Sequence, residues 1–394
     1  MFEIESSHPD FEGYYNYNSL NGIEVLEGSK LMYDNFFKNY MLPNIPCVIK
    51  GVTSNWKSSQ LWVKDDAPNF QYLSEKYGNN NVTVHKCSER YYNCQKSYKT
   101  TLTDYLEYFQ ECTSQDSNPS KLEYLKNWHL KLKYQEDDFY EVPIFFASDW
   151  LNEYYTHCSD DDYRFVYMGP KGTWTPFHAD VFMSYSWSAN VCGRKRWLIF
   201  PPGEEIYLRD VFGNLPYDIE NENHSQKFFE VIQEKGDAIF VPSGWHHQVW
   251  NIEDTISINH NWINGCNIKM MYDSLITNFI AVQKEIEDCR EMEDFEEHCQ
   301  LMLNSSFGMD FHKFYEFLKF IASSRIDMKK GTSPKTSFIG HKIGPNHILF
   351  DLKSVKTVLE LFINLEEVNS LKYFIDTDVK PLELLHQVTV VLDT

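Results

Sequence analysis

Between residues 164 and 262 the chain is a succession of short aromatic and β-branched runs, and this restricts the fold more than any other feature. The runs at 165–168, 181–187, 195–200, 238–241, 245–251 and 255–262 are each of strand length. Gly-Pro-Lys-Gly, Pro-Pro-Gly, Lys-Gly-Asp and Pro-Ser-Gly separate them, and these residues favour turns because they supply positive φ or a preset φ. Strands this short, at this spacing, predict a sandwich or a barrel.

The flanks read differently. Residues 30–130 mix helix-like stretches at 30–40 and 102–111 with short strands at Pro46-Cys-Val-Ile-Lys and, after Gly78-Asn-Asn-Asn, at Val82-Thr-Val-His. Beyond Gly265 apolar residues recur every three or four positions over 268–292 and 311–326, which predicts amphipathic helices. A loop at 329–345 and a further helix at 354–365 follow. The expected architecture is an all-β core at 131–264, an N-terminal helix and strand region at 1–130 packing on it, and a C-terminal helical region at 265–394. The late helices are read as bracing the barrel, with dimer formation and substrate binding as the other uses open to them.

Nine cysteines, an odd number with no C-x-x-C pair, indicate neither a disulfide framework nor a zinc ribbon and suit a reducing compartment. The acidic start has no basic segment followed by an apolar one, and no apolar run approaches the roughly 20 residues needed to cross a bilayer. The expectation is a soluble protein of the cytoplasm, with the nucleus also open to it and no membrane partner. Its 57 acidic and 36 basic residues give a net charge of -21, which repels nucleic-acid phosphates and favours a cationic protein partner.

His178-Ala-Asp180 supplies an imidazole and a carboxylate two residues apart, a spacing that projects both from one side of an extended segment. With 14 histidines, about one H-x-D is expected by chance at roughly one Asp in twenty residues. A second match, His8-Pro-Asp10, lies in a terminal segment with a proline between the ligands and reads as a surface turn. His178 instead follows the turn Gly172-Thr-Trp-Thr-Pro and opens the strand run. Two imidazoles and one carboxylate on one face form the donor set of a non-haem iron, so a further histidine must come from another strand. Trp245-His-His-Gln-Val-Trp offers His246 and His247, which point to opposite faces; alternation alone leaves the choice between them open.

Lys195 shares a strand face with Trp197 and Ile199, so it either snorkels at a rim or pairs with a buried anion such as the distal carboxylate of 2-oxoglutarate. Thr255, Ser257, Asn259 and Asn261 form a polar stripe that is either solvated or lines a pocket.

Four ordered segments now resemble the motifs of the jumonji-C oxygenases: Thr175-Pro-Phe-His178-Ala-Asp180, Gly193-Arg-Lys195-Arg-Trp-Leu-Ile-Phe-Pro-Pro, Gly236-Asp-Ala-Ile-Phe-Val-Pro-Ser-Gly-Trp-His-His247, and Thr255-Ile-Ser-Ile-Asn-His-Asn-Trp262. Asn127-Trp-His, Pro201-Pro-Gly and Asn214-Leu-Pro-Tyr-Asp extend the likeness over most of residues 30 to 330. The resemblance implies a cupin-like jelly roll, a double-stranded β-helix, using iron(II) as cofactor and 2-oxoglutarate and O2 as cosubstrates. It implies His178, Asp180 and His247 as metal ligands and catalytic centre, and Lys195 as partner of the distal carboxylate. Thr175 and Tyr124 match positions that hydrogen-bond the cosubstrate, and Asn259 stands where several relatives have threonine. The implied reaction converts 2-oxoglutarate to succinate while placing oxygen in a C–H bond of a protein, specifically a lysine of the eukaryotic peptide-chain release factor in translation termination. The rivals are a methyl-lysine demethylase of the same chemistry, against which no zinc-binding reader module is present, and a catalytically inactive binding module.

Overall fold

The strand Thr255–Trp262 is the middle strand of the largest sheet, pairing antiparallel with Tyr185–Cys192 on one side and Arg164–Gly169 on the other. This computed structural model describes residues 3–6, 17–92, 94–114, 121–220 and 227–394. His8 and Asp10 fall outside the described residues. From the central strand a nine-stranded sheet extends one way through Tyr185–Cys192, Ala238–Val241, Cys47–Lys50 and Glu24–Glu27. It extends the other way through Arg164–Gly169, Glu123–Trp128, Asn81–Tyr91 and Cys94–Thr101. The segment before residue 131 therefore supplies five strands hydrogen-bonded into the same sheet.

A four-stranded sheet, ordered Trp174–His178, His246–Asn251, Lys195–Phe200 and Phe229–Gln233, forms the second wall of the jelly roll. The chain crosses repeatedly between the walls, so the expected double-stranded β-helix core is what forms. Trp197, Ile199 and Val249 of the small sheet meet Val48, Ile239 and Val241 of the large one between the walls. Leu198, Phe200 and Trp250 point the other way and are covered by Phe177 and Ile219. Apolar cover on both faces explains why Lys195-Arg-Trp-Leu-Ile-Phe reads as a nearly continuous apolar run instead of an alternating one.

The structure shifts three sequence expectations. Residues 174–176, read as the end of the turn Gly172-Thr-Trp-Thr-Pro, form with Phe177 and His178 a strand at the edge of the small sheet, where the missing N–H of Pro176 is tolerated. His178 accordingly closes a strand and does not open one. The strand expected from 181 begins at Tyr185, because Phe182 (φ 57°) and Met183 (φ 53°) are left-handed and cannot continue an extended segment. The helix expected to run to 292 stops at Glu285, and four helices absent from the sequence reading, Phe295–Phe307, Glu366–Ser370, Lys372–Asp376 and Pro381–Leu392, complete the C-terminal region.

That region, with Phe311–Lys330 and Pro345–Phe362, is tied to the barrel by Arg325. Its guanidinium donates to both oxygens of Glu153 at 2.8 Å and to Asp351 Oδ2 at 2.7 Å, in a side chain 1% exposed. Glu153 belongs to Trp150–Cys158, the helix leading into the barrel. A planar fork meets Glu153 with two parallel hydrogen bonds and still offers Nε to Asp351, a bidentate geometry that a lysine ammonium does not reproduce. Among the described residues no helix is long and apolar enough to cross a membrane. Replacing Arg325 by methionine strands two buried carboxylates, and urea denaturation should show a loss of about 3–5 kcal/mol.

Candidate metal centre and cosubstrate pocket

The edge strand Trp174–His178 carries a bulge: Thr175 faces Val249 and His178 faces His247, so three residues on one strand span two on the other. The extra residue turns His178 back to the inner face that Thr175 already occupies, while Phe177 packs outward. His178 and His247 are thereby cross-strand neighbours with ring centroids 4.5 Å apart. Asp180 lies just past the strand end, and one ligand atom from each of His178, Asp180 and His247 falls within 4.8 Å of the others.

The hydrogen bonds prepare these groups as donors to a metal. His178 Nδ1 donates to the Pro176 carbonyl at 2.7 Å and His247 Nδ1 to the Trp245 carbonyl at 3.0 Å. A carbonyl only accepts, so both protons sit on Nδ1 and both Nε2 lone pairs are left for a ligand. Burial and the neighbouring His247 push the His178 pKa down to about 4, which keeps it neutral at physiological pH. Asp180 accepts from Ser186 Oγ at 2.6 Å and from Asn261 Nδ2 at 2.9 Å, so two strands of the large sheet aim its carboxylate. His246 takes the outer face, near Phe177 and 3.8 Å from Glu205. The fold thus selects His247, the choice that alternation left open.

Lys195 is 2% exposed and donates to Ser257 Oγ at 2.7 Å and Ser188 Oγ at 3.4 Å. Burial pushes its pKa down to about 7. Across the strand pair is Asn251, beside Tyr124, whose own pKa is raised by burial. Thr175 Oγ1 and Asn251 Oδ1 are buried without a hydrogen-bond partner among the described residues. Asn259 reaches this group through Ser257, to which it donates at 3.1 Å.

Sequence reasoning missed Asn251 and Lys126. Lys126 is buried two residues from Tyr124 on Glu123–Trp128, donates to Gln95 Oε1 at 2.7 Å and is pushed down to about 8 by burial. The signal was the i, i+2 pairing of Tyr124 and Lys126, legible only once that segment is known to be a strand. A second cluster, His129 with Asp161 and Asp162, also brings ligand atoms together, but Asp162 is already bonded to both His129 and Arg164.

Residues 33–267 match the family described as Cupin-like domain. The 2-oxoglutarate and iron-dependent oxygenase JMJD4 of Danio rerio is 43% identical over 389 residues, covering 93% of this chain and 92% of that protein. The Homo sapiens protein of the same name is 40% identical over 387 residues, covering 94% and 91%. The chain belongs to the JMJD4 family of 2-oxoglutarate and iron-dependent oxygenases. Membership brings iron(II), 2-oxoglutarate and O2 with it, and the likeness to JMJD4 proteins runs well beyond residue 330 into the helical tail. The Arabidopsis thaliana protein named arginine-specific demethylase JMJ20 is 37% identical over 382 residues, covering 90% and 82%.

The residues present fit both groups. Two free Nε2 atoms and an aimed carboxylate suit a divalent ion with open positions. A buried ammonium held only by hydroxyls, with the orphaned Thr175 hydroxyl as a further donor, suits a carboxylate. Asn261→Ala removes the amide that aims Asp180, so calorimetric titration with Mn2+ should show metal affinity lowered about 10- to 100-fold with little change in melting temperature.

Proposed function

We propose that this JMJD4-family oxygenase is a protein lysyl hydroxylase that acts in the cytoplasm on the eukaryotic peptide-chain release factor. His178, Asp180 and His247 hold the iron in this reading. Lys195, supported by Ser188 and Ser257, neutralises the distal carboxylate of 2-oxoglutarate. Thr175 and Tyr124 complete its hydrogen bonds, and Asn259 contributes through Ser257. When bound, the iron couples decarboxylation of 2-oxoglutarate by O2 to placement of one oxygen atom in a C–H bond. The chain's own part is to hold two imidazoles whose Nδ1 protons are tied to backbone carbonyls and one aimed carboxylate, and to bind the dicarboxylate in a dry pocket.

The observation that carries a cationic protein target is the excess of 57 acidic over 36 basic residues, a field that draws lysine-rich surfaces toward the enzyme. A second reading, demethylation of a methylated basic side chain, is favoured by the Arabidopsis thaliana relative named an arginine-specific demethylase. It starts with the same C–H oxidation, on an N-methyl carbon. Mass spectrometry of the release factor after incubation with iron(II), 2-oxoglutarate and O2 separates the two. A lysine gaining one oxygen, absent with His178→Ala, is expected; loss of a methyl with release of formaldehyde would replace hydroxylation by the second reading. Absence of succinate formation with every cationic protein that the chain binds would return it to a binding module.

The pH dependence follows from Lys195. Its pKa of about 7 in the free pocket lies below the ordinary lysine value, and the dicarboxylate binds the ammonium form. Above pH 7 binding must take up a proton, so 2-oxoglutarate affinity should fall with rising pH, approaching about tenfold per unit, and stay flat below. Anaerobic binding titrations should show this slope in the native chain and lose it in Lys195→Arg, whose guanidinium remains charged.

A further inference from the structure

A cleft of about 920 Å³ opens among the helices Trp150–Cys158, Phe311–Lys330 and Pro381–Leu392, away from the pocket just described. Part of its wall is aromatic, with Tyr154 against Phe320 at a centroid distance of 5.5 Å. Its charge is unbalanced. Its lining carries the carboxylates of Glu153, Glu316, Asp327 and Asp378 against the single ammonium of Lys319, which is shared between Glu316 at 2.7 Å and Asp378 at 3.1 Å. Glu153 is answered from behind the wall by Arg325. Asp327, in the last turn of Phe311–Lys330, accepts from Thr332 and makes no ion pair among the described residues.

We propose that this cleft docks a basic segment of the protein substrate, at a distance from the residue that is oxidised. The proposal rests on the reading of a protein substrate above and adds where that substrate is held. Lysine or arginine stems can lie along Tyr154 and Phe320 while their cationic heads reach Asp327 and Asp378. An acidic or wholly apolar segment would leave the surplus carboxylates unanswered.

The cleft is also mechanically connected to the metal centre. Asn152, on the helix that carries Glu153 and Tyr154, donates to the Asn261 carbonyl at 3.1 Å, and the Asn261 amide donates to Asp180. A row of rings, Phe320, Tyr154, Tyr155, Tyr163 and Phe182, with successive centroids 5.5, 5.4, 5.0 and 5.7 Å apart, ends at the turn that follows Asp180. A segment seated in the cleft is therefore at a fixed offset from the iron ligands. Such an offset lets the enzyme distinguish a folded protein carrying both elements from a short peptide carrying only the target residue.

The test uses the full chain loaded with metal and 2-oxoglutarate, and fluorescent octalysine as the probe at low ionic strength. Asp327 and Asp378 are exposed, so Asp327→Lys/Asp378→Lys alters charge without emptying the core. Glu75→Lys/Glu107→Lys makes the same change in net charge on exposed helical positions outside the cleft. Octalysine should bind the cleft variant at least about tenfold more weakly than the native chain and the control variant within about twofold of it. Equal weakening in both variants, or none in either, would overturn the proposal. With a cationic protein that the native enzyme oxidises, the cleft variant should raise KM for that protein and leave kcat and KM for 2-oxoglutarate unchanged; a fall in kcat alone would also overturn it. Failure of the native enzyme to oxidise any cationic protein would instead strike the reading under Proposed function, since the octalysine comparison decides the cleft without turnover.

Discussion

The bulged pairing of Trp174–His178 with His246–Asn251 is the constraint on which the rest of the site depends. Regular pairing would put Thr175 and His178 on opposite faces, because they are three positions apart on a strand of period two. One extra residue brings both inward, Thr175 toward the dicarboxylate pocket and His178 against His247. Asp180 then has to be held from the opposite wall, and Ser186 and Asn261 do this. The metal centre is thus assembled by closure of the jelly roll: one sheet gives the imidazoles, and the other aims the carboxylate.

Local rules are broken where this happens. Phe182 and Met183 adopt left-handed backbone directly after Asp180, at a cost of about 1–3 kcal/mol each. Packing holds them there, with the Phe182 ring between Tyr163 and Phe307 and the Met183 carbonyl bonded by Ser243. Lys195 and Lys126 are buried cations without a carboxylate partner among the described residues, another departure that a fold would not adopt for stability alone. The surrounding core of large aromatic residues supplies what these departures cost.

These departures also mark the boundary of what the residues made legible. Strands at 195–200, 238–241 and 255–262 were readable because β-branched and aromatic runs end in glycine or proline turns. The polar stripe of Thr255–Trp262 was visible as a stripe, and the structure makes it pocket lining through Ser257 and Asn261. Trp174–His178 was hidden by Pro176, whose tolerance depends on an edge position that only tertiary structure reveals. His246 and His247 could not be separated by alternation, since the parity of a strand has no meaning until one face is known to be inside. Lys126 was invisible because Glu123–Trp128 was not recognisable as a strand, and the C-terminal cleft exists only where helices far apart in sequence meet.

Pro176 has a further consequence, for how a substrate can approach. An exposed sheet edge invites an incoming peptide to add itself as another strand. Here the edge strand has no N–H at Pro176, the Phe177 N–H is taken by the Tyr217 carbonyl, and the Trp174 carbonyl accepts from Gln95. The ladder beside His178 is already spent. A polypeptide reaching this iron centre must therefore be recognised by its side chains and its shape, and target selection is decoupled from any requirement that the target segment be extended.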